Sequence, residues 1–216
     1  MRFRELTESE MTQDQLDLYR EICAGPRGGF RGPLHVLIRA PQLAERAAHL
    51  GEYVRYNSSL TPRISELAIL VAARYWSSQF EWFVHEQHAL KAGLAPEVIA
   101  QLAQGERPST MLADEASAYQ FCTELHHEKF VSTPTFDDAM RIFGEVGVVD
   151  LTGISGYYTL VSMALNLNRH PLPDGVSPPL KALKGASDNA KCKMDYPSRR
   201  GRARASTACG LRPTCE

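Results

Sequence analysis

ELAILVAARYWSSQFEWFVHEQHALKAG, residues 66–93, is the stretch whose reading decides the fold and places the chemistry. Its first half carries the apolar run Leu67, Ile69, Leu70 and Val71 on a helix that reaches to about Tyr75. Ser77-Ser78 then breaks the pattern, a second helix follows, and Gly93 stands where a C′ glycine ends it. The product is a helical hairpin. Glu81, His85 and His88 fall at i, i+4 and i+7 and so share one face of the second helix. Glu66 lies on the first helix among Leu67, Ile69, Leu70 and Val71, where a carboxylate is expected to be paired rather than freely solvated. The hairpin therefore assembles a candidate acid/base site. A competing reading attaches to Ser78-Gln79-Phe80-Glu81, which also spells a capping box, S-x-x-E, with both side chains spent on backbone N–H groups.

Outward from the hairpin the chain reads as all-α, with no convincing period-2 strand. Thr12 with Gln15 opens a helix carrying Leu16, Tyr19 and Ile22 that stops at Gly25-Pro26. GPRGGFRGP, residues 25–33, holds four glycines and two prolines and reads as a loop that brings backbone close to a partner. Pro41 opens a helix with Leu43, Ala47 and Leu50 on one side, and Thr61-Pro62 opens the helix of Glu66 as N-cap and first-turn proline. Further helices are predicted from Pro96 to near Gly105, from Ala113 to His127, from Pro134 to Glu145 and from Val148 to Leu167, and residues 168–179 end the fold. The last helix contains Gly153-x-x-Gly156, which suits close helix packing within the chain or at an oligomer interface.

At 216 residues, 44% hydrophobic and 23% charged, the chain has the composition of one globular domain with a tail. The net charge of −1 conceals an asymmetry. From Lys181 onward nine Lys/Arg face three Asp/Glu, whereas residues before it carry 15 basic and 22 acidic side chains. A domain over residues 1–180 with a basic, flexible tail over 181–216 is the predicted organisation. Arg199 to Arg204 has no interleaved aromatic residue, so no specific nucleic-acid binding is expected. The N-terminal MRFRELTESE lacks the apolar core of a signal peptide, and no run of about 18 apolar residues occurs, so a cytoplasmic protein without a membrane span is expected. Cys23, Cys122, Cys192, Cys209 and Cys215 form no C-x-x-C, which excludes an obvious disulfide framework or zinc site.

The Glu66 helix, the turn twelve residues on and the histidine seven residues later resemble the carboxymuconolactone decarboxylase and alkylhydroperoxidase-D-like family. The resemblance extends over residues 11–180 and is most specific from ELAILVAAR through ALKAGL. It implies an all-α fold around a central helical hairpin and a homo-oligomer, a trimer or hexamer. In the peroxidase branch of that family a glutamate is followed by C-x-x-C and a histidine. With Glu66 and His85 on those positions, the two cysteines are replaced by Ser78 and Glu81. Neither can cycle through sulfenic acid and disulfide.

The pattern instead looks like the decarboxylase-type members, acting without a cofactor or metal on a small carboxylated, cyclic substrate of lactone type. Loss of CO2 leaves a dienolate that must be stabilised and protonated at carbon. His85 is the candidate proton donor, because imidazole titrates closest to neutral pH; Glu66 orients or charges it, and Glu81 is a second acid/base group. Arg74 and Arg31 are candidate carboxylate anchors, with Ser78, His88 and Trp82 as further substrate-binding residues. Trp76, Phe80, Trp82 and Phe83 wall an apolar cavity or fill the core. Three rival readings stand beside this one: a metal site on Glu66, Glu81, His85 and His88, a residual peroxidase-like oxidoreductase, and an oligomeric module that binds a small ligand without turning it over.

Overall fold

The computed structural model describes residues 1–25 and 29–181. Most of the predicted basic tail, and Pro26 to Gly28 of the glycine-rich loop, therefore lie outside the described residues. Every regular element among those described is helical: α1 (Gln13–Ala24), α2 (Leu34–Leu37), α3 (Pro41–Glu52), α4 (Pro62–Tyr75), α5 (Gln79–Lys91), α6 (Pro96–Ala103), α7 (Ala113–His127) and α8 (Thr133–Asn168), with a short 3-10 turn at Glu8–Glu10 and a π-helical turn at Tyr53–Asn57. Thr12 starts α1 as predicted, its hydroxyl accepting from the Gln15 N–H while the Gln15 side chain accepts from the Thr12 N–H. Thr61 likewise caps α4 through the Ile64 N–H, with Pro62 in the first turn.

Helix α4 is the axis of the fold, packed by α5, α7 and α8. Its residues from Ile64 to Arg74 are all buried, which is why its sequence is apolar on every side. The α4–α5 turn is a Schellman motif. The Ser78 N–H reaches the Ala73 carbonyl, the Ser77 N–H reaches the Arg74 carbonyl, and Ser77 takes the left-handed conformation at φ 48°. Asn166 of α8 donates to the Trp76 carbonyl, and the Gln79 amide pairs with both backbone groups of Leu180, so the turn is held on two sides. At the far end of α5, Gly93 at φ 90° closes the helix as the sequence predicts.

One expectation is corrected. The buried face of α3 is Ala44, Ala47, Ala48 and Gly51, leaving Leu43 and Leu50 exposed, because α3 packs against α1 and α2 through its small residues. The two predicted final helices are both present within α8 and meet at a kink at Gly144, whose φ of 68° and ψ of −179° are non-helical. The segment from Tyr53 to Ser59 is the π turn and its exit. Asp150 of α8, buried, anchors both its ends: one carboxylate oxygen accepts from the Tyr53 hydroxyl at 3.0 Å, the other from the Ser59 N–H and hydroxyl, each at 2.7 Å.

By length and composition α8 also passes for a membrane span, but 61% of its apolar window is buried inside the fold, as in the core helix of a globular protein. Asp150→Ala removes three hydrogen bonds to one buried carboxylate and is expected to cost about 2–3 kcal/mol of stability. Urea unfolding followed by circular dichroism measures it, and an unchanged midpoint would mean that the π turn is held by other contacts.

Candidate functional site

Glu66 from α4 and Glu81 from α5 enclose the imidazole of His85. Its Nδ1 lies 2.6 Å from Glu66 Oε2 and its Nε2 lies 3.0 Å from Glu81 Oε1. His85 is only 3% exposed, and both carboxylates are buried with it. Two ring nitrogens each facing a carboxylate oxygen require two N–H groups, so the ring is an imidazolium. Burial on its own pulls a histidine down, but here the Glu81 charge and the hydrogen bonds to Glu66 and Glu81 outweigh it and raise His85 to about 9. The expectation of an imidazole that titrates near neutral pH is thereby corrected: the group is held charged well above it.

The same geometry decides between the two readings of Ser78 and Glu81. No side-chain cap forms at the start of α5, and the Ser78 hydroxyl is fully buried without a partner. Glu81 turns to His85 because a charge-assisted bond in a buried site outweighs a bond to a helix-end N–H. The inward face of α5 is Glu81, Trp82, His85 and Ala89, so polar groups occupy positions that a hydrophobic pattern would assign to core.

Two further residues complete the cluster, and the sequence reading passed over both. Arg55, in the π turn, donates from Nη2 to His88 Nε2 at 3.1 Å, and the negative charges bearing on it include Glu66 and Glu81. A guanidinium can only donate, so His88 Nε2 accepts and its proton sits on Nδ1. Burial first, then the Arg55 charge, lower the His88 pKa and keep that ring neutral. Tyr158 of α8 stands edge-on to His85 with ring centroids 5.0 Å apart. Burial, reinforced by Glu81, pushes its phenol well above the usual value, so it remains a neutral O–H. The clue to Arg55 in the sequence was its aromatic setting, Tyr53-Val54-Arg55-Tyr56. Tyr158 had no such signal.

The other predicted binding residues are placed elsewhere. Arg74 is eight residues beyond Glu66 on α4, about 12 Å along the axis; it is buried, and Nη2 donates to the Lys181 carbonyl at 3.0 Å. Arg31 is exposed in the loop, with its guanidinium folded over Gly29. Trp82 is a fully buried core residue. Phe80 packs on the loop, where Gly32 at φ 59° would bring a Cβ within 3.3 Å of its ring, and against His170 at 4.3 Å between centroids. Trp76 donates to Thr159. Trp76, Phe80 and Trp82 thus pack the hairpin onto its neighbours.

Residues 41–121, from the first residue of α3 to Phe121 in α7, match the model of the carboxymuconolactone decarboxylase family. The matched segment covers 81 of the 216 residues and includes the hairpin. No curated protein matches the chain. The family segment contains Arg55, Glu66, Ser78, Glu81, His85 and His88, whereas Tyr158 and the rest of α8 lie beyond it. Of the described cysteines, Cys23 is half-buried and Cys122 is buried, its thiol pushed up to about 11 by burial, with the Ser155 hydroxyl donating to its sulfur. A thiol so protonated is a poor nucleophile at neutral pH. Among the described residues no group of three or more His, Cys, Asp or Glu is placed to hold a metal ion.

Because His85 is raised from its unfolded value of about 6.5, the folded state holds an extra proton between that pH and about 9. The stability this contributes is complete below pH 6.5 and is lost as pH rises through about 9, at a slope of up to about 1.4 kcal/mol per pH unit. Denaturation of the wild type and of His85→Gln from pH 6 to 10 tests this. The difference between the two should shrink with rising pH, and a pH-independent difference would refute the imidazolium.

Proposed function

We propose that the protein catalyses cofactor-free decarboxylation, or a related proton transfer, on a small carboxylated cyclic substrate of lactone type. The observation that carries this reading is the buried imidazolium clamped between two carboxylates on the hairpin of a carboxymuconolactone decarboxylase family segment. When the C–CO2 bond breaks, its electron pair passes into the conjugated carbonyl as a dienolate, and CO2 leaves. A fixed cation beside that charge lowers the barrier without reorganisation, and the buried surroundings strengthen the effect. The dienolate carbon then takes a proton, and solvent restores the one lost from the site.

Glu66, at 2.6 Å, sets the ring's orientation. Glu81, at the longer 3.0 Å, is the partner that a substrate displaces or protonates through, which makes the Nε2 side the reacting side. The peroxidase-like alternative is weaker, because Ser78 and Glu81 occupy the positions where the resemblance expects thiols and Cys122 is held protonated. Incubation with a carboxylated lactone labelled at the carboxyl carbon in heavy water is expected to release labelled CO2 and leave deuterium at the protonated carbon. His85→Gln should slow this by about 10²-fold or more while circular dichroism stays unchanged. Equal rates for the two proteins, or no labelled CO2 from any such lactone, would end the proposal.

The chain is also proposed to be a homo-oligomer, a trimer or hexamer. Along α8, Val146, Val149, Gly156, Met163 and Leu167 are exposed, and with the half-buried Gly153 and Leu160 they recur at alternating spacings of three and four residues. Such a stripe supports a helix–helix interface, and a Cβ added at Gly156 would meet nothing within 4 Å beyond its own helix backbone and chain neighbours. Sedimentation of the wild type should show the oligomer, and Val149→Glu with Met163→Glu should yield a monomer. A monomeric wild type would remove this part of the proposal.

A further inference from the structure

We infer that Arg55 is the oxyanion-binding residue of the Glu66–His85–Glu81 site, receiving an anionic oxygen group of the substrate on its guanidinium fork. The inference rests on the acid/base reading of the same site. Its first support is placement. Arg55 rides on a π-helical turn, a rare conformation concentrated where function demands it. Asp150 fixes that turn on both sides of Arg55, through Tyr53 and through Ser59, so the guanidinium is held rather than trailing from a loop.

The second support is unused hydrogen-bonding capacity. Among the described residues no carboxylate lies within 4.0 Å of the Arg55 guanidinium, although Glu66 and Glu81 are the charges behind it. It donates a single bond to the neutral His88 and lies over the face of Tyr56, 5.4 Å from the ring centroid. Arginine has five N–H donors in a planar fork suited to a carboxylate or enolate oxygen. His88 occupies one and steadies the side chain, which leaves the fork for a ligand.

The third support is charge and access. Glu66, Glu81, the His85 imidazolium and Arg55 sum to zero, so an anion entering without Arg55 would meet net negative charge. Glu66, Glu81 and His85 are buried, whereas Arg55 and His88 are half-buried, which puts the guanidinium between the cluster and solvent. The oxygen group it grips is one that the product retains, because pairing the departing carboxylate with a guanidinium would stabilise the ground state against its loss.

Benzoate and its neutral isostere benzamide test this without turnover, by calorimetric titration of the full chain together with the His85 ring resonances. The wild type is expected to bind benzoate at least tenfold tighter than benzamide, with the His85 signals shifting on addition. Arg55→Met should abolish that preference and leave benzamide binding unchanged; should that variant not fold, Arg55→Gln gives the same reading. Absence of benzoate binding to the wild type, or a preference that survives loss of the guanidinium, overturns the inference. A preference that follows Arg55 in a protein that releases no CO2 from carboxylated lactones upholds Arg55 and removes the decarboxylation reading. CO2 release together with a preference indifferent to Arg55 does the reverse.

Discussion

A protonated histidine buried between two carboxylates is the constraint around which the rest of this structure is arranged. Removing three ions from water costs several kcal/mol each, and the cost is offset only when every charge meets a partner at short range. Glu66, His85 and Glu81 satisfy that condition with contacts of 2.6 and 3.0 Å. Loss of one partner would leave another charge buried and unpaired, so the register of α4 against α5 is fixed to within a fraction of a helical turn. The Schellman turn at Trp76 to Ser78, clasped by Asn166 and by Gln79 with Leu180, provides that register.

The scaffold outside the hairpin serves the same end. Helix α8 contributes Tyr158 to the edge of the imidazolium and Asp150 to the π turn, so one helix positions two members of the cluster from outside the family segment. Arg63 of α4, bonded to Asp114 and Glu115 at the start of α7, ties the opposite end of the hairpin to the rest of the bundle.

How much of this could be read in advance follows from the physics of each feature. The caps at Thr12 and Thr61, the C′ glycine at Gly93 and the apolar circumference of α4 are local or statistical consequences of sequence, and all are where the residues place them. The pairing of Glu66 with His85 was legible because a carboxylate in an apolar helix needs a partner and the next helix offers one. Arg55 was missed because a π turn has no periodic signature, and Tyr158 because an aromatic residue in a long apolar helix looks like core. The S-x-x-E box at Ser78 misled for a related reason: the motif describes what a glutamate does when nothing stronger competes, and His85 competes.

By itself, then, the sequence determined the all-helical class, the central hairpin and the identity of the Glu66, Glu81 and His85 cluster, since propensity, capping and the avoidance of unpaired buried charge act over a few residues or one turn of chain. Only the tertiary structure decided the charge state of His85, the contact of Arg55 with His88, and the outward turn of Leu43 and Leu50. Electrostatic shifts and burial depend on distances between segments far apart in the chain, such as the 3.1 Å between Arg55 and His88 or the 2.6 Å between Glu66 and His85, and those are set by packing.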